Sequence, residues 1–458
     1  MPKHIYNYNT HAEKRYFLGP EHHGLYDIIR LNGNIVSHTP EGVAGFLATA
    51  GKDFYIDPQT HAFQHATIHL KSDVSDKKKK EPPRYKFKPS IVKLANERLG
   101  GPFSQVIAND KPISPAVFTD KGTIKNVAIN SVCQSVKEFQ LDLIESELDD
   151  EAKEFIEGPS GFKPVFVIAP YFYLSKHSWR EWLEINVACY QRMKELVEDV
   201  PTYLSLVVSK DALDNEGDIV SAISGVKPDG ILLWIDSHVE EELRRSEVES
   251  YVHFLKELNG NTEFLYNSHG GYLSILLCHP ELGGILDGVA HSVNYGEHRN
   301  VVPIGGGLPM ARFYLYSLHS RLRWGDAADI VQPRGWLDSV GSYRENICMC
   351  HQCQELFDEK GSAEKAFDLY GKSNPVTITR RDGTIVRLEY PTKEAKQAAT
   401  RHYLYNKAKE FDDVETKTYN ELLQDLDAIY REVSENSGEE VVSHLRTWYE
   451  ALRETRDC

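Results

Sequence analysis

Three cysteines fall within six residues, in Cys348-Met349-Cys350-His351-Gln352-Cys353. Thiolates at Cys-x-Cys-x-x-Cys spacing are soft ligands that favour zinc where thiols stay reduced. A tetrahedral site needs a fourth ligand from elsewhere. His351 lies inside the loop and is poorly placed to close the same tetrahedron, whereas His402, on a helix expected over residues 393–411, could approach after an intervening excursion. Three thiolates and an imidazole leave no open coordination position, so zinc at Cys348, Cys350, Cys353 and His402 would hold the fold. An iron–sulfur cluster would want a fourth cysteine; chance clustering and redox-active thiols are the other readings. The seven cysteines are too unevenly placed for a disulfide framework, and Cys133, Cys189 and Cys278 read as buried inert thiols.

A second set of chemistry-bearing residues closes a series of apolar runs: Asp57, Tyr171, Ser209, Asp236, His269 and His291. A carboxylate so placed can accept an N–H or a proton, and an aromatic face suits a flat ring. The runs that must carry them cover residues 27–36, 54–57, 165–171, 203–209, 230–236, 263–268 and 285–293. Helical patterns separate them. Residues 179–197 place Trp182, Ile185, Ala188 and Cys189 three to four apart, and residues 239–258 end at Asn259-Gly260, where Gly can take a left-handed cap. Nearly continuous apolar strands bounded by helices argue for parallel pairing with both faces covered. With a short N-terminal strand near residues 15–18, these units predict an α/β fold, a closed (β/α)8 TIM-type barrel. A doubly wound open sheet is the competing architecture. In a barrel the carboxyl ends of the strands converge on one mouth.

The barrel is expected over residues 1–345, and residues 346–458 as a zinc-binding, mainly helical subdomain. That part includes a β-hairpin over residues 373–391 with an Asp382-Gly383 turn, then a charged helical tail. Of 458 residues, 52 are Lys or Arg and 68 Asp or Glu, a formal charge of −16; with 41% hydrophobic residues the chain can bury a large core. No apolar stretch reaches the roughly 20 residues of a membrane span, so no membrane partner is expected. The start, Met1-Pro2-Lys3-His4-Ile5-Tyr6-Asn7, lacks the apolar run of a signal peptide, which predicts a cytoplasmic protein. An acidic surface repels phosphates unless a basic patch overrides it. One dense basic run exists, Lys77-Lys78-Lys79-Lys80-Glu81-Pro82-Pro83-Arg84-Tyr85-Lys86-Phe87-Lys88, readable as a solvated loop or as a contact for a nucleic-acid backbone. Residues 145–157 read as a solvated acidic helix. Residues 294–299 and 303–309 are glycine-bearing and permit close backbone approach or a plain connection.

The order of Asp27 to Asn34, with its Gly33-Asn34, then Pro40-Glu41-Gly42, a helix, and Asp57 followed by Phe63-Gln64, resembles the queuosine tRNA-guanine transglycosylases. Those enzymes read Leu-Gly-Asn-Thr, Arg-Pro-Gly and Thr-Asp-Ser-Gly-Gly-Phe-Gln, and carry a zinc subdomain opened by Cys-x-Cys-x-x-Cys behind the barrel. The superfamily includes DNA-directed 7-deazaguanine transglycosylases and transglycosylase-like proteins of bacterial antiphage operons of the CBASS type. The resemblance implies that Asp57 contacts the base and serves in proton transfer, with Asn34, Phe63 and Gln64 at the matching base-side positions. It implies zinc on Cys348, Cys350 and Cys353, with His402 as candidate fourth ligand.

The departures lie at the chemistry. The family's nucleophilic Asp ends the last barrel strand, where this chain reads Ile285-Leu286-Asp287-Gly288-Val289-Ala290-His291 and presents Ala290 or His291. Attack on an anomeric carbon then lacks its nucleophile, unless Asp287 or Asp236 takes the role. The second base-recognising Asp is replaced by Ala169-Pro170-Tyr171-Phe172, Ser209-Lys210 stands where the family has Gln-Gly, and Trp234 enters where the family is glycine-rich. The expectation is a divergent transglycosylase-like protein that recognises a 7-deazaguanine-type base, or a group bearing it, through Asp57, Tyr171 and Trp234, within a nucleic-acid-modification or antiviral-defence system. The alternatives are an active enzyme exchanging guanine in tRNA or DNA, and a non-catalytic subunit, or homodimer, docking a protein partner at the barrel mouth.

Overall fold

In the computed structural model, residues 1–18, 24–75, 82–147, 162–293, 297–302, 310–379, 384–437 and 439–455 are described. Eight parallel strands form one sheet: β1 (Lys3–Tyr8), β2 (Ile28–Asn32), β3 (Asp53–Asp57), β4 (Val167–Ile168), β5 (Thr202–Ser209), β6 (Gly230–Asp236), β7 (Phe264–Asn267) and β8 (Gly288–His291). Their spatial order is β3-β2-β1-β8-β7-β6-β5-β4. The two ends of that order meet where Val165 N donates to Phe54 O at 2.9 Å, so the sheet curls into a nearly closed barrel. The open-sheet alternative is thereby set aside.

Period-two alternation gives each strand two buried faces. Ile5, Ile28, Tyr55, Ile168, Tyr203, Val207, Leu232, Trp234, Tyr266 and Ala290 fill the barrel interior. Tyr6, Ile29, Phe54, Leu204, Leu233 and Val289 face the surrounding helices. On the helix Trp179–Leu196 the buried side chains are Trp182, Leu183, Ile185, Asn186, Cys189, Tyr190 and Met193, one apolar stripe. Asn186 anchors that helix to the chain leaving β4, accepting from Phe172 N and donating to Phe172 O, both at 2.8 Å.

Several elements depart from expectation. The N-terminal strand is β1, while residues 15–18 follow or end a 3-10 turn, His11–Tyr16. Ile5 and Asn7 alternate with Tyr6 and Tyr8, a period-two signal carried partly by polar and aromatic residues. β2 stops at Asn32, because the helix Gly33–His38 begins there. A Cβ on Gly33 would stand 2.7 Å from Asp57 O, so only glycine lets this turn pass so close to β3. The helix expected from Val239 begins at Arg245, after a separate turn, Glu240–Glu242. Gly260 caps it at φ −61°, without the left-handed conformation.

After β8 the chain makes an antiparallel pair, Arg312–Leu315 with Ser320–Arg323, and then a run of helices. The expected hairpin is present as Ser373–Thr379 paired with Ile385–Pro391; its Asp-Gly turn lies outside the described residues. The same holds for Lys77 to Glu81 of the basic run, most of the acidic segment and the glycines of residues 303–309. Among the described residues, no helix is long and apolar enough to cross a membrane.

The long helix Lys393–Thr416 lies against the barrel. Phe411 stacks on His4 of β1 with ring centroids 4.7 Å apart. One turn earlier Lys407, fully buried, is paired with Glu297 and, at 2.8 Å, with Glu410. Tyr314 and His319 of the antiparallel pair and its turn bond Glu410 at 2.5 and 2.7 Å. A buried lysine flanked by two carboxylates stays charged because both compensate the lost hydration.

Candidate functional site

β2 and β3 pair in register, Asn32 beside Asp57. Alternation turns Arg30 and Asp57 to the same side, with Tyr55, into the barrel. Asp57 is 1% exposed. Its Oδ2 accepts from Arg30 Nη2 at 2.7 Å, and its Oδ1 accepts from the Tyr171 hydroxyl at 2.7 Å and from Gln59 N at 2.9 Å. Burial alone would raise the carboxyl's pKa; Arg30, then His61 and the bonds from Tyr171 and Arg30, hold it below the usual carboxylate range.

Aromatic rings enclose this pair. His61, on the short turn Thr60–Gln64, stacks on Tyr171 at 5.1 Å and meets Trp234 edge-on at 5.4 Å. Burial lowers the His61 pKa to about 3, against the pull of Asp57, so the ring is neutral at pH 7. Trp234 packs on His269 at 4.5 Å, lies under the Arg30 guanidinium at 5.9 Å, and donates from Nε1 to Arg299 O at 2.8 Å. Arg30 Nη1 faces Ser268 O and His269 Nε2, both at 3.3 Å. Four buried polar atoms here have no partner among the described residues: Arg30 Nε, the Tyr55 hydroxyl, His61 Nδ1 and His269 Nδ1. Buried donors without acceptors are rare, and a cluster of them marks a place for a polar ligand or ordered water.

Asp57, Tyr171 and Trp234 are therefore gathered in the barrel, with Asp236 at its rim. Asp236 accepts from the Tyr173 hydroxyl at 2.9 Å and from Val301 N at 2.8 Å. Gln64 clamps the Tyr173 backbone, donating to its carbonyl at 2.8 Å and accepting from its N–H at 2.7 Å, and so steadies the Tyr173–Asp236 contact.

Four other candidates lie elsewhere. Asn34 is on the helix Gly33–His38 and meets the site only through its backbone N–H, which donates to Gln59 Oε1 at 3.1 Å. Asn32 is the strand residue beside Asp57. Phe63 is buried in the outer core, edge-on to Phe103 at 5.2 Å. Asp287 precedes β8 at the end opposite the mouth, where it accepts from Leu265 N at 2.8 Å. His291 points out of the barrel, its ring 5.2 Å from His4 and 6.0 Å from Phe411. Ala290 is the interior residue of that turn of β8.

Sequence reading passed over Arg30, Asn32, His61 and Tyr173. Only Arg30 carried a signal: a charge between Ile29 and Leu31 in an apolar run must find a buried partner.

The cysteines do converge. Sγ of Cys348, Cys350 and Cys353 and a ring nitrogen of His402 all lie within 4.8 Å of one another. His402 Nδ1 is 3.4 Å from the sulfurs of both Cys350 and Cys353. Its Nε2 sits 2.7 Å from Tyr314 O, to which it donates, so the lone pair is on Nδ1, the nitrogen facing the sulfurs. The Tyr343 and Tyr370 hydroxyls approach Cys353 Sγ at 3.4 and 3.3 Å. Donors aimed at a sulfur, and an imidazole fixed in one tautomer, suit this group to hold a metal ion.

No family model and no curated protein sequence matches the chain.

Proposed function

We propose that this protein is a divergent transglycosylase-like barrel that binds a 7-deazaguanine-type base, or a group bearing it, without exchanging it. The observation that carries this reading is the Asp57 carboxylate, buried between Arg30 and Tyr171 under the rings of His61 and Trp234. Arg30 presents to it a planar N–H donor, the kind of group that the amino and ring N–H edge of a deazaguanine also presents. The unpartnered atoms of Tyr55, His61 and His269 supply further donors and acceptors around a flat ring. The absence of exchange rests on Ala290, which occupies the interior position of β8 where a nucleophilic carboxylate is required. The metal on Cys348, Cys350, Cys353 and His402 is zinc in this reading, in a structural role.

Titration calorimetry with free 7-deazaguanine tests it. Saturable binding that weakens at least tenfold in Asp57→Ala, with no guanine exchange on RNA or DNA, is the expected result. Exchange abolished by Asp57→Ala would establish the enzyme instead, with Asp236 as the rim carboxylate to examine. No binding, together with a co-purifying protein, would favour the docking subunit.

A further inference from the structure

Beside the mouth, three loops bring together a group that neither the base site nor the cysteines use. Glu241 lies in the turn Glu240–Glu242 after β6, and Glu297 and His298 follow β8. One ligand atom from each lies within 4.8 Å of the others. Gly271, after β7, completes the enclosure. A Cβ there would meet Glu240 Oε2 at 3.0 Å, Glu297 Oε2 at 3.3 Å and His298 Cε1 at 3.4 Å, so glycine keeps open the space on which these side chains converge.

We propose that Glu241, Glu297 and His298 form a second metal site, for a divalent first-row ion of the Mn2+ type. Glu297 uses Oε1 toward Lys407 and the Tyr403 hydroxyl, which leaves Oε2 turned to the enclosure. His298 Nε2 is 2.9 Å from Glu241 Oε2, a separation that a shared cation can span as well as a proton does. His298 Nδ1 is buried without a partner among the described residues, as is Nε2 of His238, which is 8% exposed and packs its ring on Tyr251 at 4.6 Å. Charge points the same way. Glu240 Oε2 and Glu297 Oε2 border this space, and Glu241 Oε2 faces His298 Nε2, where a bound cation would take the place of the imidazole proton. Two carboxylates and an imidazole suit Mn2+ or Fe2+, whereas the thiolates of the cysteine group favour zinc.

The test uses the full-length protein with its cysteine site first loaded with zinc, then equilibrated with Mn2+. One added equivalent of Mn2+ is expected, with nitrogen modulation from the His298 imidazole in its pulsed electron paramagnetic resonance spectrum. Glu241→Gln, at a partly exposed side chain, and His298→Gln should each weaken Mn2+ binding at least tenfold, with folding of each variant checked by circular dichroism. Bound Mn2+ without nitrogen modulation overturns the assignment even if a variant misfolds. So does stoichiometry below a tenth of an equivalent, or unchanged affinity in both folded variants.

Discussion

Arg30 and Asp57 form an ion pair at 2.7 Å inside the barrel, with side chains only 7% and 2% exposed. Each strand contributes one partner: register sets Arg30 beside Tyr55 and Asn32 beside Asp57, and the long Arg30 side chain reaches diagonally across the shared interior face to Asp57. The carboxylate that resembles a base-reading group is thus also half of an internal salt bridge. A ligand that engages Asp57 must either share it with Arg30 or displace the guanidinium.

Removing one partner should cost far more than removing both. Arg30→Met leaves a buried carboxylate without its counter-ion, which costs about 3–5 kcal/mol. Arg30→Met with Asp57→Leu should recover most of that loss in chemical denaturation. Additive single effects would show that the two residues are energetically independent.

Acid should destabilise the protein well before the carboxylates titrate. His61 has its pKa lowered by burial to about 3, and His4 by burial to about 4. The unfolded chain therefore takes up these protons first, near pH 6.5. Their stabilising contribution is complete above that pH and is lost as pH falls toward the folded values. Each such histidine adds a slope of about 1.4 kcal/mol per pH unit, or about 2 kcal/mol between pH 6.5 and 5. Urea midpoints at pH 7, 6 and 5 should fall less steeply in His61→Phe than in the native chain. Parallel profiles would refute the assignment.

The native protein should carry one zinc on Cys348, Cys350, Cys353 and His402. Because the ligands come from the start of the helix His351–Lys360, the residues just before it and the helix Lys393–Thr416, metal binding would tie the two helices together, and binding energy becomes folding energy. Chelation or Cys353→Ser should lower the unfolding midpoint by on the order of 10 °C or more. Less than half an equivalent of zinc by elemental analysis, or an unchanged midpoint in Cys353→Ser, would remove the metal from the account.

Lys407→Met should be among the most damaging single changes. It strands Glu297 and Glu410 as facing buried carboxylates, at a cost of about 3–5 kcal/mol. Lys407→Met combined with Glu297→Gln and Glu410→Gln should regain part of the loss in thermal unfolding. A single variant as stable as the native chain would show that the network is dispensable.

The sequence by itself determined the series of parallel strands between helices and the cluster of three cysteines; closure of the sheet and the approach of His402 came from the tertiary structure. Apolar runs such as residues 203–209 and 230–236 have a local period that survives any tertiary arrangement, and Cys-x-Cys-x-x-Cys is a local spacing that needs only one distant ligand. Strand β1 carries only a weak apolar signal, because its alternation runs through His4, Asn7 and two tyrosines, which read as polar. Only the tertiary structure decided which face each residue takes. His291 and Ala290 are neighbours in sequence, yet strand alternation turns one to the helix Lys393–Thr416 and the other into the barrel. Arg30 with Asp57, and Lys407 with Glu297, are pairs whose partners lie far apart along the chain. No local pattern records such a pairing. A buried charge states that it needs a partner, and only the packing of strands and helices names which one.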